Sequence, residues 1–232
     1  MIDTPEQPKI DPDDLHKAPP NILDFVSIEN QQFLTTMMNC REEMDFISNI
    51  QGLYAAAMSN QSADRSKVII FQLLTLVHYH FLFASTCYMR CHMAEAFNSA
   101  RIAIDGALVA AQIIHDRSSQ LAYVERKKPF DKLIRHYKNL IQHKKPLPHP
   151  SIEFLINKHD FFSQIASHAD IDTFAHRLDF LKASKEFPNE VMAFQYFQYP
   201  HDQASMSHRF LGLLVVFVVT LDVFADFIVG EQ

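Results

Sequence analysis

The chain has 232 residues, 48% of them hydrophobic and 21% charged, enough apolar material for one large domain or two small ones. Its net charge of -6 excludes an overall attraction for nucleic acid or anionic lipid. With 4 glycines and 11 prolines it is a poor match for a fold of many short strands, because tight hairpins consume Gly and Asn-Gly turns.

Three cysteines, an odd number, make no disulfide framework. Cys87 and Cys91 stand four apart and read as buried structural thiols. The N-terminus, MIDTPEQPKIDPDDLHKAPP, has no apolar stretch and is not expected to be a signal peptide. The expectation is a cytoplasmic protein.

Residues 1–22 read as a flexible, acidic, Pro-rich arm that buries too little apolar surface to offset its ordering entropy. Residues 23–232 read as a single helical domain. Ile28, Phe33, Met37, Met44, Ile47, Ile50 and Tyr54 recur near helical spacing, which predicts one amphipathic helix to about residue 60, weakened at Gly52. From Lys67 to His115 there is no proline and one glycine. A single helix there would be roughly 70 Å long, too long for a compact domain. Ser85 and Thr86 favour caps over helix interiors, so the break is predicted there, giving helices over about 65–84 and 87–116.

The next helix, about 118–143, is basic, with Arg126, Lys127, Lys128, Lys132, Arg135 and Lys138 opposed by Asp131, and Pro129 should kink it. Ser151 can cap a helix running through Phe154, Leu155, Phe161 and Phe162 to about His168. The segment 173–200 is rich in aromatics and partly alternating; it reads as irregular structure with a short helix, or a short β insertion. The last helix starts near Gln203.

The run Phe210 to Val229 (FLGLLVVFVVTLDVFADFIV) is apolar nearly all round, as for a helix enclosed by protein or lipid. Its unbroken part ends at Val219, short of the roughly 20 residues a bilayer needs, and Asp222 and Asp226 would each cost about 2.5–3.5 kcal/mol near mid-membrane. The expectation is therefore a core helix and no membrane span.

On the helix 87–116, Ala96, Ala103, Ala107, Ala110 and Ile114 form a small-residue face, while Asn98, Arg101, Asp105 and Gln112 form a narrow polar stripe. That stripe is either a solvated side or the lining of a cleft. In the second case Arg101, paired with Asp105, suits a carboxylate or phosphate. The run ARIAIDGAL (100–108), followed about sixty residues later by SQIASHAD (163–170), resembles uncharacterised bacterial all-helical proteins distantly akin to HEPN (higher eukaryotes and prokaryotes nucleotide-binding) domains. The resemblance implies an all-α fold with Arg101, Asp105 and His168 at the site. It also argues against the ribonuclease activity of that class, whose members carry an Arg followed four to six residues on by His. No Arg here has that spacing.

His168, Asp172 and His176 fall at i, i+4 and i+8 and would suit a metal on a continuous helix. His78 and His80, two apart, point to different sides of a helix and read as hydrogen-bonding residues at the core edge. The basic segment 126–145 has few aromatics for base stacking, which disfavours nucleic acid as a partner.

Together these features predict an all-α bundle of about six or seven helices around a buried C-terminal helix. No cofactor is called for, and a homodimer is allowed. The leading functional expectation is a non-enzymatic binding or regulatory protein with a polar cleft at Arg101, Asp105 and His168. The alternative is a hydrolase, either a divergent HEPN-like enzyme acting on nucleic acid or a metal-dependent one using His168, Asp172 and His176.

Overall fold

The computed structural model describes residues 21–59, 67–125, 132–166, 178–181, 191–194 and 203–229. The class is all-α: helices α1 (Ile22–Asn39), α2 (Arg41–Ser59), α3 (Val68–Met89), α4 (Met93–His115), α5 (Ser119–Val124), α6 (Leu133–Gln142), α7 (Ile152–Ala166), α8 (Gln203–Asp222) and α9 (Ala225–Val229). To these is added a two-stranded antiparallel ladder, β1 (Leu178–Leu181) with β2 (Val191–Phe194), in which Leu178 faces Phe194 and Leu181 faces Val191. Residues 1–20 of the expected N-terminal arm (1–22) lie outside the described residues, and its last two, Asn21 and Ile22, cap and begin α1.

Two helix boundaries differ from the expected ones. The first long helix is broken at buried Cys40, whose φ of -114° and ψ of 52° leave the helical region, and not at Gly52, which sits within α2 with open space around it. Asn21 caps α1 by accepting from the backbone amides of Leu23 and Asp24.

The second break falls at Arg90–His92, not at Ser85-Thr86. Ser85 is buried inside α3, and the Thr86 hydroxyl donates back to the Phe83 carbonyl at 2.9 Å, so neither residue competes with the helix. α3 ends instead in a Schellman motif, with His92 N–H on the Cys87 carbonyl and Cys91 N–H on the Tyr88 carbonyl, both 2.9 Å. Cys91 holds the left-handed position at φ 62°. α6 ends the same way, with Lys144 at φ 51° and bonds from Lys145 to Leu140 and from Lys144 to Ile141.

Helices α3 and α4 form the central hairpin, and α7 and α8 also pack on α4. α4 is enclosed because its neighbours can come close. Ala96, Ala100, Ala103, Ala107, Ala110 and Ala111 are all buried, and a Cβ placed on Gly106 would lie 3.4 Å from the side chains of Leu76 and Val77. Tyrosine hydroxyls tie further crossings to helix carbonyls. Tyr54 of α2 donates to Phe217 at 2.9 Å, and Tyr88 of α3 donates to Met206 at 2.8 Å while stacking on Phe210. The C-terminal helix is buried on one face, through Phe210, Leu213, Leu214 and Phe217, and leaves Leu211 and Val215 exposed.

The expectation of a cytoplasmic protein without a membrane span is overturned. Three helices, Val68–Met89, Met93–His115 and Ala204–Asp222, are long and apolar enough to cross a membrane. For the last of these, the linear sequence sets two aspartates within the apolar run. α8 in fact ends at Asp222, and a turn at Val223–Phe224 puts position 226 beyond it, so neither aspartate stands at mid-helix. In α3 no Asp, Glu, Lys or Arg occurs at all.

Replacing Gly106 with Ala should leave stability unchanged or raise it by up to about 1 kcal/mol through helix propensity, because the added Cβ only reaches contact. Gly106→Leu should cost about 1–3 kcal/mol by forcing α3 and α4 apart. Lys144→Gly, at an exposed left-handed position, should add about 1 kcal/mol. Denaturant unfolding of the purified chain reads all three.

Candidate functional site

The polar stripe of α4 is half-buried along Asn98, Arg101, Asp105 and Gln112. Two neighbours cover part of it. α6 is pinned to α4 by Tyr137, which is fully buried and whose hydroxyl donates to the Leu108 carbonyl at 3.2 Å and to Gln112 Oε1 at 3.3 Å. Burial, the dominant cause, pushes the Tyr137 phenol well above its ordinary value, so this hydroxyl stays a donor. α7 is held by stacking of Phe162 on Phe97, ring centres 5.1 Å apart.

This packing brings His159 of α7 beside Asp105. His159 is 12% exposed; its Nε2 lies 3.4 Å from Asp105 Oδ1 and its Nδ1 3.5 Å from Asp160 Oδ1. Lys138 of α6 closes the chain of contacts, with Nζ 2.7 Å from the Asp160 carboxylate. Burial acts upward on the Asp160 carboxyl, but the hydrogen bonds and charges of Lys138 and His159 outweigh it and hold the group below the usual carboxylate value.

Next to these groups a concavity of about 590 Å³ opens between α4 and α6. Leu108, Val109, Leu133 and Ile134 form its apolar lining, and Asp105, Lys132, Arg135 and Lys138 supply its charges. Three cations and one carboxylate around an apolar floor suit an anionic group that also carries a hydrogen-bond donor.

Of the residues expected at the site, Asp105 lines this concavity and Arg101 does not. Among the described residues no ion pair joins Arg101 to Asp105, whose carboxylate faces His159 instead. The Arg101 Nε is buried with no hydrogen-bond partner. His168, Asp172 and His176 lie outside the described residues. Among the described residues no group of His, Cys, Asp and Glu is placed to hold a metal.

His78 and His80 do serve as hydrogen-bonding residues, at 2.7 Å to Gln51 Oε1 and 2.8 Å to Ser99 Oγ. The cysteines are free and buried. Burial, aided by nearby Cys40 and opposed by a hydrogen bond with Thr36, pushes the Cys91 thiol up to about 11, so it is not a nucleophile at neutral pH. Asp222 is exposed at the end of α8 and accepts from the Ser151 hydroxyl at 2.8 Å.

His159 was missed in the sequence, although a signal was present. The buried Ile152, Leu155 and Ile156 set a helical face of α7, and position 159 continues it at i+7 from Ile152.

Compared with known proteins, the chain matches no family model, no curated protein and no solved structure.

The depressed Asp160 value fixes the sign of a pH effect. Its contribution to stability is complete above the unfolded carboxylate value and is lost as pH falls through the lower folded one. Asp160→Asn should cost less than about 1 kcal/mol at neutral pH, because the pair is partly exposed. The difference from wild type should shrink as pH falls below about 4. Parallel denaturation curves at several pH values measure it.

Proposed function

We propose that this chain is a non-enzymatic helical binding protein that takes an anionic group in the cleft between α4 and α6. One observation carries the reading: Lys132, Arg135 and Lys138 surround a single concavity whose floor is apolar. A solvated basic face has no such floor. Arg135 is suited to a bidentate contact with a phosphate or carboxylate. Lys138 is already paired with Asp160 and would act mainly as a positioning charge. Asp105, held beside His159, would accept from a hydroxyl or amine of the same ligand.

The likeness to HEPN-like domains supports this reading through the helical class and through Asp105. The hydrolase alternative adds the His168, Asp172 and His176 cluster.

Titration calorimetry with inorganic phosphate and with a nucleoside monophosphate tests the proposal. Wild-type protein should bind at least one of the two, and the double variant Lys132→Ala with Arg135→Ala should bind it at least tenfold more weakly. Equal binding by both proteins, or none by wild type, overturns the reading. Cleavage of a labelled RNA by wild-type protein would favour the hydrolase instead.

A further inference from the structure

From Val68 to Met89 α3 is free of charged residues. At 1.5 Å per residue it is about 33 Å long, close to the thickness of a bilayer's hydrocarbon core. One side is pressed on α4 at Gly106. The other presents Val68, Tyr79, Leu82 and Phe83, which are 42%, 58%, 40% and 44% exposed, with exposed Gln72 and Thr75 among them. Their spacing makes one continuous stripe, and a helix facing water ordinarily sets charges there.

Of the polar groups that interrupt the stripe, Gln72 is exposed, while the two threonines make little demand on water. The Thr75 hydroxyl donates to the Phe71 carbonyl at 2.8 Å, and that of Thr86 to the Phe83 carbonyl at 2.9 Å. At the flanks His78 and His80 are bonded to Gln51 and Ser99. Donors satisfied within the helix are what a hydrocarbon surrounding requires. A protein partner would instead draw on such donors, since an interface carries about one hydrogen bond per 100–200 Å². Within α3 the stripe also carries no charged residue that would orient a second protein.

We infer that the outward face of α3 lies against the hydrocarbon of a lipid bilayer, with the opposite face held by α4. The exposed Leu211 and Val215 of α8, another helix of spanning length, offer a second apolar surface to the same medium.

The chain has no tryptophan, so Tyr79→Trp places a single reporter on the stripe. With phosphatidylcholine vesicles its emission should shift to the blue and be quenched when the acyl chains are brominated. His136→Trp, on the exposed side of α6, should be insensitive to bromine. Leu82→Lys with Phe83→Lys should lower the share of protein floating with vesicles at least tenfold, with helix content by circular dichroism unchanged. If that variant loses its helices, the tryptophan reporter decides alone. Quenching of the Tyr79→Trp reporter by aqueous iodide and not by brominated lipid overturns the inference. So does a charged pair that abolishes self-association while leaving flotation as it was, which would assign the stripe to a second copy of the chain.

Discussion

Small side chains at the α3–α4 crossing set how close two apolar helices can lie, and most of the other packing follows from that distance. Ala103 and Ala110, on the same face as Gly106, are buried, and a Cβ on Gly106 would only just reach contact with Leu76 and Val77. Two helices held this near to each other share few gaps, and their dispersion contacts accumulate over many turns. The hairpin then offers a wall on which α7 packs through Phe162 and α8 through Phe210. Tyr54, Tyr88 and Tyr137 add hydrogen bonds to helix carbonyls, each joining two helices distant in sequence. Such bonds satisfy a buried hydroxyl and fix the rotation of one helix against another.

The cleft is a consequence of the same arrangement. α4 is apolar on the sides covered by α3 and α8, and its polar stripe is left for α6 and α7. Because α6 is anchored by Tyr137, its cations are carried to the rim of a concavity instead of being spread over a free surface. Because α7 is anchored by Phe162, His159 reaches two carboxylates on different helices. The cleft and the apolar stripe of α3 lie on helices that meet through α4, so one hairpin serves both surfaces.

A helix with one buried and one exposed apolar face has two readings in composition alone, and the exposed face separates them. On α3 that face is continuous, uncharged and has its threonine hydroxyls bonded within the helix. On α4 it hardly exists, because neighbours enclose the helix. α8 is intermediate, with Leu211 and Val215 outside and Phe210 and Phe217 inside. Length and apolarity are shared by all three; the surroundings are not.

The helical class, the small-residue face of α4 and the start of the last helix were legible from residue spacing, because apolar periodicity and proline placement act locally. The helix ends were less so. Ser85 and Thr86 look like a break, yet the break lies at Cys91, where a left-handed residue closes α3. The pairing of Asp105 with His159, the gathering of Lys132, Arg135 and Lys138 about one hollow, and the outward turn of Leu82 and Phe83 were not legible at all. The sequence by itself determined which stretches are helical and which of their faces are apolar, since these follow from contacts a few residues apart. Only the tertiary structure decided which apolar faces are covered and which charges meet, since those depend on helices far apart in the chain coming to rest side by side.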